Sequence, residues 1–357
     1  MNINDLFTAS SIATHFTEAA SNRIPYLGEA LFPPRKKLGL DLSWIKGHKG
    51  LPVSLAPSNF DAKAKLRARE GLAKEVTQMA FFREAMLVKE KDEQDIMRVQ
   101  ESKDPYAQEI LSHIYDDADI LLTGAMVVPE RMRMQLIAPE DGHPAIYLES
   151  DGVTYEYNYD ADGSYAEKNY LELTDTDMWS DFENSDPLND VSAGIDAVEE
   201  LTGTRPAYMV ISKKTAGYLR RNANIKAAIL AQNATANVMI TDGRVSEVFQ
   251  NTLGITIIVY NKKYKDENGE TKQFYPDDYA TLLPEGALGS TWYGTTPEER
   301  TLMGNAAANV SVVNTGVAIS VFTLPHPVNT QTTVSEIVLP SYERMSETFV
   351  IKVAAGA

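Results

Sequence analysis

The densest carboxylates in the chain are Asp175, Asp177, Asp181, Glu183, Asp186 and Asp190. Acids this close could chelate Mg²⁺ or supply the acid–base pair of a carboxylate-based hydrolase. No basic partner or aromatic platform for a substrate accompanies them, so the spacing favours a solvated acidic loop or linker. A second cluster, Asn158, Asp160, Asp162 and Gly163, repeats the first half of a calcium loop, in which alternate oxygen ligands precede a glycine turn. Its twelfth position is Asn169, where such a loop needs a bidentate Glu, so an ordinary Asp/Gly turn is expected.

Other chemistries lack their parts. There is no cysteine, which removes disulfides, thiolate metal sites and cysteine nucleophiles together. His15, His48, His113, His143 and His326 are scattered, and none forms an H-E-x-x-H pair. The phosphate cradles G-x-x-x-x-G-K-[ST] and G-x-G-x-x-G are absent, as is the nucleophile elbow G-x-S-x-G. Trp44, Trp179 and Trp292 are too dispersed to stack bases and read as core or interface anchors. The expectation is therefore a non-enzymatic protein with no catalytic, cofactor or metal residues.

Charge distribution is more informative than any motif. The net charge of −17 argues against direct binding to nucleic acid, whose phosphates need Lys and Arg. Yet residues 35–91 carry 13 Lys+Arg against 6 Asp+Glu, and residues 92–357 carry 19 against 41. A basic segment joined to an acidic body is a complementary pair, able to fold back or to reach another copy. No apolar run approaches the ~20 residues that span a bilayer. The start MNINDLFTASS lacks the layout of a secretory signal, so a soluble protein that stays where it is made is expected.

The elements that must carry these residues follow from periodicity. Residues 1–27 hold a modest amphipathic pattern (Leu6, Ile12, Phe16) suited to an arm rather than a core. Leu38, Leu40, Leu42 and Trp44 alternate as a strand, and Glu75–Val88 reads as a second one. Between them, residues 51–72 are polar and far longer than the usual connection of about 4–6 residues. Residues 35–91 thus read as a two-stranded excursion with a polar tip, which cannot be stable alone. A helix of about 22 residues is expected from Asp104-Pro105, with Ile110, Ile114, Ala118, Leu121 and Ala125 on one stripe and its end fixed by Gly124 and Pro129.

Strands are expected at Arg131–Ile137, His143–Leu148 and Val153–Tyr159. Beyond them come a helix at Pro187–Leu201, a strand at Tyr208–Ile211 and a Ser212-capped helix to about Asn222. Short helices at Ile225–Leu230 and Val245–Phe249 precede a buried strand at Ile255–Tyr260 and a hairpin turning at Asn268-Gly269. Val310–Val313, Val317–Leu324 and Phe349–Val353 close the chain as strands. The class is α+β.

This layout resembles the major capsid proteins of tailed phages typified by phage lambda, with the Hong Kong 97 capsid fold. The resemblance rests on ordered blocks rather than one motif: Pro25-Tyr26-Leu27-Gly28-Glu29-Ala30-Leu31-Phe32-Pro33-Pro34-Arg35 before Trp44 and Gly47, then Met79-Ala80-Phe81-Phe82-Arg83-Glu84. Later blocks are Phe274-Tyr275-Pro276, Leu282-Leu283-Pro284, Gly286-Ala287-Leu288-Gly289 and Tyr293-Gly294-Thr295-Thr296-Pro297-Glu298-Glu299. The resemblance implies an N-terminal arm (1–34), an extended β-hairpin loop (35–91), a peripheral domain with a spine helix (92–184 and 305–357) and an axial α/β domain (185–304). It also implies self-assembly into hexamers and pentamers of an icosahedral head shell that encloses DNA without sequence-specific binding. Portal, scaffolding and decoration proteins would be partners, the virion capsid the location, and the bacterial cytoplasm the site of assembly. The residues expected to contact neighbouring copies are Lys36, Lys37, Trp44, Lys46, Lys49, Lys63, Lys65, Arg67 and Arg69. A nanocompartment shell of the same fold and a carboxylate-based hydrolase are the alternatives.

Overall fold

The computed structural model describes residues 9–10, 12–14, 26–45, 74–88, 106–150, 152–232, 240–301, 309–313, 315–325 and 328–355. These divide into two compact units, one drawing on stretches 1–43, 76–131 and 290–341, the other on 44–75, 132–289 and 342–357.

The first unit is built on a six-stranded sheet. Its spine is the 15-residue strand Val328–Tyr342. Strand Val317–Pro325 pairs antiparallel along one stretch of it, and Asn309–Val313 continues that side. Strand Ala80–Val88 pairs antiparallel with residues 330–338, while Pro34–Lys36 runs parallel to Thr291–Tyr293 of strand Gly289–Tyr293. Ala118, Leu121 and Leu122 of helix Tyr106–Ile137 bury against Val313, Val317, Ile319 and Val334, with Ala125 packed alongside. Ala118, Leu121 and Ala125 belong to the stripe that the three- and four-residue steps predict, whereas the side chains of Ile110 and Ile114 lie outside the description. Ala9 and Ile12 are buried in the same cluster, so the chain is anchored at these two residues.

The second unit has a five-stranded mixed sheet in the order Tyr170–Glu172, Phe349–Lys352, Tyr279–Leu283, Tyr208–Ile211, Thr256–Val259. Helices Pro187–Thr202, Lys213–Arg221, Ala223–Gln232 and Asp242–Leu253 supply Val191, Ile195, Val198, Leu219, Ile225, Val248 and Phe249 to its core. Ser212 caps as expected, accepting from the Thr215 amide. Hairpin Ala145–Ser150/Val153–Asn158 completes this unit, and Gln135 stands in for a third strand along its edge. The Gln135 amide donates to the Tyr147 carbonyl and accepts from the Tyr147 N–H, at 3.0 and 3.2 Å.

Several expectations are corrected. The long helix does not stop near Pro129: it runs through it for 32 residues, so Arg131–Ile137 is helical and not a strand. Met132, Arg133, Met134, Leu136 and Ile137 are all buried, and a helix covered on all sides loses the period that separates it from a strand. Ile255–Tyr260 is not a buried strand; Thr256–Val259 is a sheet edge with Val259 exposed, though Ile255 and Tyr260 at its ends are buried. The strands Val328–Tyr342, Tyr279–Leu283 and Gly289–Tyr293 were not anticipated.

The excursion at 35–91 also differs. Strand Asp41–Ile45 pairs with Lys74–Gln78, as a hairpin stem would. Pro34–Lys36 and Ala80–Val88, however, belong to the six-stranded sheet. The two ends of the segment are thus held by ladder bonds of that sheet, while residues 46–73 lie outside the described residues. Among the described residues, no helix is long and apolar enough to cross a membrane.

Candidate functional site

The residues of the block Tyr293–Glu299 gather the two stems of the excursion. On the outgoing stem, the Thr291 N–H donates to the Pro33 carbonyl at 3.0 Å, and the Thr291 hydroxyl donates to the Phe32 carbonyl at 2.8 Å. The Lys37 N–H donates to the Tyr293 carbonyl at 2.8 Å. Arg35 lies over the Trp292 ring, 5.8 Å from its centroid. On the returning stem the Met79 N–H donates to the Leu40 carbonyl at 3.0 Å, joining one stem to the other.

Helix Pro297–Thr301 follows, started by Thr296, whose hydroxyl accepts from the Glu299 N–H at 3.2 Å. Its first two acids grip one stem each. Glu299 accepts from Lys36 Nζ at 2.6 Å. Glu298, nearly buried, pairs with Arg83 and accepts from the Ser335 hydroxyl at 2.8 Å. Gly294 is the point of closest approach. A Cβ there would lie 2.6 Å from Ile337 Cγ2, 2.8 Å from the Gly39 carbonyl oxygen and 2.9 Å from Met79 Cε. One short segment thus ties together the two stems that flank the polar, basic run of the sequence.

The predicted contact residues are placed unevenly. Lys36 is held by Glu299 in its own chain, and Lys37 is half-buried beside it. Trp44 lies in strand Asp41–Ile45. Lys46, Lys49, Lys63, Lys65, Arg67 and Arg69 lie outside the described residues. Sequence reasoning missed Arg83, Glu298 and Glu299 as partners. The available signal was Thr296-Pro297-Glu298-Glu299, a cap, a first-turn proline and two first-turn acids.

The carboxylate clusters are engaged by their own backbone. Asp160, buried, accepts from the Tyr165 and Ala166 amides at 2.9 and 3.1 Å and is bonded to His143 Nδ1 at 3.0 Å. Asn158 and Asp162 accept from amides two residues on, so the calcium-loop spacing serves a turn. The acidic run is no free linker. Trp179 is fully buried in the second unit's core, donates its indole N–H to Asp190 at 2.9 Å, and its backbone N–H bonds the Val353 carbonyl at 2.8 Å. Burial pushes the Asp190 carboxyl up despite that bond. Asp181 accepts from the Asn184 side chain and from the Asn184 and Glu183 amides, which holds its carboxyl down. Arg221 lies over Phe182 at 5.5 Å, a basic–aromatic contact that the linear sequence conceals.

The profile of the family described as phage major capsid protein E matches residues 8–353. No curated protein matches the chain. Among solved structures, it resembles the putative capsid protein of a prophage of Escherichia coli CFT073, at TM-score 0.59 and 14% identity over 98% of this chain and 99% of that one. It also resembles a phage-related protein of Bordetella bronchiseptica RB50, at TM-score 0.57 and 12% identity over 97% of each. The cyanophage A-1(L) capsid is similar at TM-score 0.50 and 10% identity, over 92% and 91%. The fold is that of phage capsid proteins, the Hong Kong 97-like fold. The chain belongs to the phage major capsid protein E family and is a shell-forming structural protein of the virion capsid.

Proposed function

We propose that copies of this chain associate as hexamers and pentamers that close an icosahedral head shell around phage DNA. The observation that carries this reading is the root of the excursion, where both stems are tied to the helix Pro297–Thr301. A segment so aimed, with little apolar surface of its own, is suited to rest on a neighbour. Within 35–91, Lys46, Lys49, Lys63, Lys65, Arg67 and Arg69 then lie on the acidic body of the adjacent copy, with Lys37 and Trp44 near the root. Many weak contacts repeated around a closed shell give collective stability without disulfides.

In this reading 1–34 is the arm, 92–184 with 305–357 the peripheral domain, and 185–304 the axial domain. DNA is enclosed without sequence-specific contact, and the chain performs no catalysis and takes no cofactor. Portal, scaffolding and decoration proteins join it, and assembly proceeds in the host cytoplasm. The internal use of Asp160, Asp181 and Asp190 supports a structural rather than hydrolytic role for the acids. Negative-stain microscopy and sedimentation of the purified chain test the reading: closed particles are expected. A chain that stays unassembled at every concentration, with or without scaffold, refutes it, and particles that carry protein cargo instead of DNA would favour the nanocompartment.

A further inference from the structure

The turn Lys37–Leu40 carries an apolar side chain with no use in its own unit. Leu38 is 85% exposed and Leu40 is exposed beside it. An isolated exposed leucine needs no explanation, but this one is presented on fixed backbone. The Lys37 N–H and the Leu40 carbonyl are both bonded to neighbouring strand ends, and Gly39, between them, has φ +92°. The Gly39 carbonyl itself lies against Gly294. The turn is therefore clamped on either side of Leu38, with exposed Arg35 and half-buried Lys37 close by in sequence.

The outer face of hairpin Ala145–Asn158 has the opposite character. The register pairs Tyr147 with Glu156 and Glu149 with Thr154, and directly opposite residues share a face. All four are exposed, Tyr147 at 52%. The other face carries Ile146, Leu148, Tyr155 and Tyr157, the first two buried. The stretch 145–158 contains three acids and no Lys, Arg or His. Among the described strand residues of this unit, two other large apolar side chains are exposed: Val153, which alternates onto the face of Tyr155 and Tyr157, and Val259, which is followed by Lys262 and Lys263 that would repel a basic turn.

We infer that the turn Lys37–Leu40 of one copy docks on the outer face of hairpin Ala145–Asn158 of a second copy, with Leu38 against the Tyr147 ring and Arg35 and Lys37 facing Glu149 and Glu156. The inference rests on the shell-forming reading and adds to it an apolar anchor and the surface that receives it. The contact is head-to-tail, joining two different patches, as rings of subunits require. It gives a short ordered contact beside the longer basic loop.

The absence of cysteine makes the test clean. Two full-length chains, one Leu38→Cys and one Thr154→Cys, are mixed, assembled, and treated with a bis-maleimide of ethylene spacer. Mass spectrometry is expected to find the 38–154 crosslink between chains in particles. Crosslinks only between like residues, or none while both thiols react with a monofunctional maleimide, overturn the inference. As an independent arm, Leu38→Asp should leave the melting of the unassembled chain unchanged and raise the concentration needed for assembly by at least about tenfold, the effect of losing one buried leucine contact. Assembly of Leu38→Asp at the wild-type concentration also overturns it. Failure of the wild-type chain to form particles would instead refute the shell reading itself.

Discussion

Replacing Gly294 by Ala adds one methyl where the two stems of the excursion meet the sheet. Non-bonded carbons prefer about 3.5–4.0 Å. The new Cβ would stand 2.6 Å from Ile337 Cγ2 and 2.8 Å from the Gly39 carbonyl oxygen, so a shift of about 1 Å is needed to relieve it. Met79 Cε can swing away; the Gly39 carbonyl is backbone, and Ile337 is a buried residue of the long strand. Overpacking of this kind costs about 1–3 kcal/mol. The strain falls on three local bonds: Gly294 N–H to the Ile337 carbonyl, Lys37 N–H to the Tyr293 carbonyl, and Met79 N–H to the Leu40 carbonyl. Hydrogen exchange of these amides in the unassembled chain should accelerate by about 5- to 150-fold, each 1.4 kcal/mol being a factor of ten. Gly124→Ala is the matched control, because its Cβ would meet nothing within 4 Å on the exposed side of the long helix. There the same change should stabilise by about 0.5–1 kcal/mol. Exchange within twofold of wild type at all three amides in Gly294→Ala would refute the claim that this glycine sets the root of the loop.

The clasp predicts an asymmetry: Glu298→Ala should destabilise by about 1–3 kcal/mol, because the buried Ser335 hydroxyl loses its acceptor, whereas Arg83→Ala, on the more exposed partner, should cost under about 1 kcal/mol. Urea titration of both single variants and the double variant checks it; equal single costs would contradict the geometry. Alkaline titration should reveal tyrosines that ionise late, since burial pushes Tyr157 and Tyr279 up to about 12 and Tyr275 and Tyr342 higher still. A raised folded pKa contributes stability that is complete below the unfolded value near 10 and is lost as pH climbs to 12 and beyond, so stability should fall across that window. Absorbance at alkaline pH, with denatured chain as reference, measures it, and a single titration near 10 would contradict the burial. Finally, Lys46, Lys49, Lys63 and Lys65 changed together to Gln should raise the assembly concentration most at low ionic strength, where screening is least; an effect independent of salt would rule out charge pairing.

What the sequence made legible was whatever its periodicity or capping chemistry encoded locally. Ser212 announces its helix because cap and first turn are adjacent in the chain. Strand Tyr208–Ile211 is a short apolar run between breakers and was found at its true bounds. Val328–Tyr342 was missed because Thr330, Thr332, Thr333, Ser335 and Glu336 interrupt its apolar pattern, yet all are buried under neighbouring strands. Its threonines and valines were the signal that a reading by hydrophobicity passes over. The helix end was misplaced because Pro129 reads as a stop and Arg131-Met132-Arg133-Met134 alternates as a strand would.

The root of the excursion was hidden by distance rather than by composition. Lys36 and Glu299 are separated by 263 positions, and Arg83 meets an acid from the same distant helix. Composition alone marks residues 35–91 as basic and poorly apolar, which led to the expectation that the whole segment leaves its own fold. Yet a segment can be unsuited to folding alone and still be anchored at both ends, because ladder bonds need only backbone and a register. Pro34–Lys36 and Ala80–Val88 meet that need in one sheet. A contact made by ordered backbone forfeits less entropy on forming than one made by a free chain. That is the physical reason the clamped turn at Leu38 suits a first anchor between copies.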